Sequence, residues 1–65
     1  SLHEMPLQRL MLPIRAHNAL RRCGYENVGS VMTLSRGDLL LINNIGEGGA
    51  DEIMAAIENL REELQ

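Results

Sequence analysis

Ala50, Ile53, Ile57, Leu60 and Leu64 step by three and four near the C-terminal end of the chain. That spacing puts five apolar side chains on one stripe of a helix and suits no strand. A helix with a single apolar stripe has to bury it, and in 65 residues only short elements remain to do so. A domain of this size hides only about 60% of the surface its unfolded form exposes, so its core is thin. Cross-links cannot reinforce it, because Cys23 is the only cysteine and has no partner sulfur. His3 and His17 have no cysteine or carboxylate cluster at ligand spacing, so no structural metal is expected. Aliphatic packing must therefore hold the fold. The sequence is 45% hydrophobic with Tyr25 as its one aromatic residue.

Upstream of the stripe, glycine, proline and capping residues cut the sequence into short helices. Pro13 suits a first helical position, where a missing N–H costs nothing, and Gly24 suits a left-handed C-terminal cap. A first helix is thus expected over Pro13 to Cys23. Asn27 is placed to cap a second, Val28 to Thr33. Ser35 and Asp38 have capping-box spacing before a third, Arg36 to Leu41. Asn43 to Gly49 reads as a glycine-rich turn, followed by a fourth helix to about Glu63. Alternating β-branched runs are absent, so no sheet is expected. The expected fold is all-α: a compact bundle of four short helices over residues 13–65. An extended N-terminal arm, residues 1–12, precedes it, and Ser1 and Leu2 at its tip read as foreign to the domain. The stripe on the fourth helix reads as core, although its near-heptad spacing also suits a partner helix.

Charge is unevenly spread. The formal net charge is −3, which argues against strong nonspecific binding to nucleic acid, since that affinity comes mainly from neutralised phosphates. Yet Arg9, Arg15, Arg21, Arg22 and Arg36 all lie in the first half of the sequence or close to it, and no basic residue is Lys. Arginine favours planar and groove contacts over diffuse charge. From Asp38 onward the only base is Arg61, among seven acids.

The segment from Ile42 to Ile53 is the most informative. Gly46 permits a tight turn with positive φ, and Ile45, Ala50 and Ile53 can anchor that turn to the core. The amides near Gly46 to Gly49 would then lie at the start of the fourth helix, where unpaired N–H groups and the helix dipole attract anions. This pattern resembles the hairpin of a helix-hairpin-helix motif, which grips a DNA phosphate through such amides. Glu47, Asp51 and Glu52 oppose that reading, because they put negative charge where a phosphate would sit. They also have a structural explanation, since carboxylates in a first turn stabilise a helix.

Arg15, Asn18 and Arg22 are spaced i, i+3, i+7 and share one helix face, while Ile14 and Leu20 are expected to turn inward. Arginine beside asparagine suits DNA backbone or minor-groove contact, where arginine reads groove shape. A plain solvated face has the same spacing. His17 reads as a surface residue and Cys23 as a packing residue. No Ser/His/Asp or paired-carboxylate arrangement suggests catalysis.

Taken together, Leu10-x-Leu12-Pro13-Ile14-Arg15-Ala16-x-Asn18-x-Leu20, Gly24-Tyr25-x-x-Val28-Gly29, Leu34-x-x-x-Asp38-Leu39-Leu40 and Asn44-Ile45-Gly46 followed by Glu52-Ile53 resemble the C-terminal domain of the bacterial RNA polymerase alpha subunit. The similarity runs without gaps from about Leu7 to Leu60. It implies that the first helix and the turn before the fourth sit side by side. The shared surface would bind the minor groove of A/T-rich DNA upstream of promoters and meet sigma factor or transcription regulators. The resemblance implies that Arg15 enters the groove, that Asn18 bonds backbone or sugar, that Gly46 offers an amide to a phosphate, and that Glu52 orients Arg15. Arg22, Gly48 and Gly49 complete the expected DNA-binding set. Gly48 stands where the family has a characteristic Lys and Gly49 where it has a Ser. Ala19 stands where the family often has a Cys or another small residue, and Met11 at a position that is sometimes acidic. The expectation is a non-catalytic, cytoplasmic, nucleoid-associated transcription module with no cofactor, small-molecule substrate or membrane contact. Two alternatives stand beside it: a protein-interaction module of the same fold with weakened DNA affinity, and a helix-hairpin-helix anchor from a DNA repair or processing enzyme.

Overall fold

The computed structural model describes all 65 residues. Four helices follow in order: α1 (Ile14–Arg22), α2 (Val28–Met32), α3 (Arg36–Leu40) and α4 (Gly46–Glu63). No strand forms, and the protein is an all-α bundle as its apolar periods require. All 13 buried side chains are apolar, and no buried side-chain polar atom lacks a partner. Any polar chemistry this fold performs therefore belongs to its surface.

Local chemistry explains each boundary. Asn27 caps α2 by accepting a hydrogen bond from the Ser30 amide at 2.9 Å. Ser35 and Asp38 form a complete capping box on α3, the Asp38 amide donating to Ser35 Oγ at 3.1 Å and the Ser35 amide to Asp38 Oδ2 at 3.0 Å. α1 ends in a Schellman motif. Gly24 is left-handed at φ +91, its amide donates to the Arg21 carbonyl, and the Tyr25 amide donates to that of Leu20.

Three expectations need correction. Pro13 lies one residue outside α1 as its N-cap, with an extended ψ of 146, and its carbonyl accepts the first helical hydrogen bond from His17. Ile14 does not turn inward: it is 72% exposed, and Ala16 and Ala19 pack in the core beside Leu20 instead. α4 starts at Gly46, so Gly48 and Gly49 are helical and not part of a turn. The turn itself is shorter, Leu41 to Ile45. The stripe on α4 buries Ala50, Ile53, Ile57 and Leu60, while Leu64 stays half exposed.

The N-terminal arm is more structured than a plain extended segment. It winds into two 3-10 turns, Leu2–Glu4 and Leu7–Leu10, and places Leu7 and Leu10 in the core. Backbone hydrogen bonds tie it to the start of α2, the Val28 amide donating to the Met5 carbonyl at 2.9 Å and the Leu7 amide to that of Glu26 at 3.2 Å.

Candidate nucleic-acid interface

The turn before α4 takes its shape from two left-handed residues, Asn44 at φ 76 and Gly46 at φ 61. Ile45 between them is buried and pins the turn to the core. α4 has no side-chain cap at its N-terminus. The amides of Gly46, Glu47 and Gly48 precede the i→i−4 ladder of the helix and have no partner within it. The positive end of the dipole of an 18-residue helix lies at the same place.

Arg15, on the first turn of α1, reaches this turn. Its Nη2 donates to Asn44 Oδ1 at 3.3 Å. Together they border an open cleft of about 480 Å³. Pro13, Arg15 and Ala16 form one wall; the other runs from Asn44 to Gly46 and includes Gly49 and Glu52. Arg15, Gly46, Gly49 and Glu52, chosen from sequence, thus meet in one place. Asn18 is exposed on α1 but outside this cleft, as is Gly48 on α4. Arg22 lines a neighbouring cleft with Cys23 and Tyr25, which shares Asn44 with the first. Arg15 forms no ion pair with Glu52, and its side-chain hydrogen bond goes to Asn44.

The acids that argued against an anion site are divided by the fold. Asp51 and Glu47 both face α3, where Arg36 Nε meets Asp51 Oδ1 at 2.9 Å and Nη2 meets Glu47 Oε1 at 3.9 Å. Only Glu52 of the three lines the cleft. The hydrogen bond to Asp51, helped by the charges of Asp51 and Glu47 and opposed by slight desolvation, raises the pKa of Arg36 above the usual arginine value. A raised folded pKa stabilises below the unfolded value and is lost only as pH rises through the raised one. The Arg36 guanidinium therefore adds no pH dependence near neutrality.

Sequence reasoning missed two residues here. Asn44 was visible as part of the Asn-Ile-Gly run, but its role depends on a contact 29 positions away. Arg36 gave no signal, because its partners lie on another helix. Elsewhere no group of His, Cys, Asp and Glu is arranged to hold a metal ion, and no helix is long and apolar enough to cross a membrane. Cys23 is an exposed free thiol.

Comparison with known proteins gives a consistent answer. Residues 1–59 match the family model of the C-terminal domain of the bacterial RNA polymerase alpha subunit. The sequence is 40% identical over 57 residues to DNA-directed RNA polymerase subunit alpha of Prochlorococcus marinus strain MIT 9312, and equally so to that of Synechococcus sp. strain WH7803. Each match includes 88% of this protein and 18% of the relative, so the protein spans less than a fifth of their length. No solved structure matches it.

Proposed function

The protein belongs to the family of C-terminal domains of the bacterial RNA polymerase alpha subunit, and on that premise we propose that its Arg15 cleft binds A/T-rich duplex DNA upstream of promoters. One observation carries this reading. Arg15 is held by Asn44 beside the uncapped start of α4 and makes no ion pair with an acid. A cation and a row of free amides then converge on one open cleft.

In this reading Arg15 enters the minor groove, where a narrow A/T-rich groove concentrates negative potential. The first-turn amides of α4, from Gly46, donate to a backbone phosphate. Gly49, with no side chain, lets the backbone approach closely. Asn18, one turn along α1, bonds a sugar or phosphate oxygen, and Arg22 extends the track with a second charge. Asn44 takes the orienting role that the resemblance gave to Glu52. The contacts are few, and Gly48 and Gly49 lack the family's Lys and Ser, so binding is weak and salt-sensitive. No step of catalysis falls to these residues. The module acts in the bacterial cytoplasm as part of a polymerase subunit, with nucleotidyl transfer performed by other parts of the enzyme.

The test is an anisotropy titration of A/T-rich and G/C-rich duplexes at two salt concentrations. The A/T-rich duplex should bind more tightly, with a log–log salt slope of about −0.9 per phosphate neutralised. Arg15→Ala should abolish the binding. Equal binding by Arg15→Ala and the parent protein would sink the proposal.

A second reading, contact with sigma factor or a transcription regulator, is favoured by a different observation. Met11 and Ile14 flank the entry to α1 and are 88% and 72% exposed. Side chains this apolar gain by being covered. Absence of any DNA complex, together with capture of purified sigma factor or polymerase, would favour this reading over the first. The relatives compared are polymerase subunits, so nothing in them supports an anchor taken from a repair enzyme.

A further inference from the structure

Glu47 and Asp51 stand one helical turn apart on α4, so their side chains share a face. Glu47 directly follows Gly46, at the place where the proposed phosphate would sit. Glu47 is the acid of the first turn and Asp51 follows in the second, and carboxylates near a helix N-terminus stabilise the helix but repel an anion bound at its end. The two requirements conflict unless the carboxylates are directed elsewhere. In this protein they are: Arg36, reaching across from α3, meets Asp51 at 2.9 Å and Glu47 at 3.9 Å. The guanidinium fork lets one side chain engage two carboxylates at once, which a lysine ammonium does less well.

We propose that Arg36 is a positioning residue for DNA binding: it holds Glu47 and Asp51 against α3 and so keeps two negative charges away from the phosphate site at Gly46. This rests on the DNA-binding reading of the Arg15 cleft. Stability is not its main purpose, since exposed ion pairs contribute little to folding, and the side chains of Glu47 and Asp51 are 84% and 65% exposed. Its effect is on where charge sits within a Debye length, about 8 Å at physiological salt, of a bound phosphate. Without Arg36 neither carboxylate keeps its cationic partner on α3, and their charge is left uncompensated beside the start of α4.

The experiment is a cycle of four proteins bound to one A/T-rich duplex at low salt. They are the parent protein, Arg36→Ala, the Glu47→Gln/Asp51→Asn pair, and all three changes together. Arg36→Ala should weaken binding by about tenfold, the order expected of one or two like charges moved close to a phosphate. In the Glu47→Gln/Asp51→Asn background the same change should cost less than about twofold, because no carboxylate is left to position. A thermal melt of each protein should show all four folded, and Arg36→Gln serves as a second variant if Arg36→Ala melts early. An equal loss in both backgrounds overturns the proposal, since Arg36 would then act as a plain charge or touch DNA itself. No loss in either also overturns it. Failure of the parent protein to bind DNA overturns both this inference and the reading beneath it, whereas a binding parent with an uncoupled cycle overturns this inference alone.

Discussion

At the scale of single residues, the glycines of α4 separate what space allows from what charge requires. A Cβ built at Gly48 meets nothing within 4 Å, while one at Gly49 meets Ile45 Cγ2 at 3.2 Å. Lysine is therefore accommodated at 48 without strain, and serine at 49 requires Ile45 to give way. Gly48→Lys removes a helical glycine, worth up to about 1 kcal/mol, and places a cation at the positive end of the dipole, which costs about 0.3 to 1 kcal/mol. The two nearly cancel, so the melting temperature should hardly move. DNA binding should change: one more neutralised phosphate steepens the salt slope by about 0.9. Titrations of the parent and Gly48→Lys at several salt concentrations measure this directly, and an unchanged slope would place position 48 away from the DNA. The same scale shows why sequence misjudged Ile14. Size and hydropathy pointed it inward, but the face of α1 that packs is the one carrying Ala16 and Ala19. Small residues gave a weaker signal than the large one beside them.

At the scale of elements, caps were legible and long-range partners were not. Asn27 with Ser30 and Ser35 with Asp38 are each three residues apart, so the chemistry of the cap is written in adjacent sequence. The start of α4 was misplaced because glycine in a run reads as turn, although a first turn tolerates it and Gly46 needs its positive φ there. The Arg36 bridge joins positions 15 apart, for which no local rule exists. Caps matter here because α2 and α3 have only five residues each, far below the length of roughly 12 to 15 at which an isolated helix becomes even marginal. Ser35→Ala should lower stability by about 1 kcal/mol, read as a lower urea midpoint at constant slope. Adding Asp38→Ala should cost less than the sum of the two single changes, because each half of the box orients the other. Strict additivity would show that the two hydrogen bonds act independently.

At the scale of the whole molecule, the N-terminal arm decides whether the bundle closes. The sequence reads as an extended arm over residues 1–12, ahead of the helical domain that begins at Pro13. The structure puts Leu7 at 0% and Leu10 at 6% exposure among the core residues, and two backbone hydrogen bonds, one to Val28 of α2 and one to Glu26 just before it, hold the arm there. Gly29 makes this approach possible, because a Cβ at that position would lie 2.6 Å from the His3 carbonyl oxygen and 3.1 Å from its Cα. Both are backbone atoms, so no side-chain rotation relieves the clash and the arm itself has to move. Gly29→Ala should therefore destabilise by about 1 to 3 kcal/mol, as overpacking does, even though alanine is the better helix former. The displaced arm should also be visible locally. The Val28 amide, which donates to Met5, and the Leu7 amide, which donates to Glu26, should lose hydrogen-exchange protection before the amides of α4 do. Gly48→Ala provides the contrast: the same change on an open helical surface should stabilise, because helix propensity acts there without a clash. Equal protection of Val28 and Leu7 in Gly29→Ala and the parent protein would mean that the arm does not depend on the missing side chain, and that its leucines are held by the core alone.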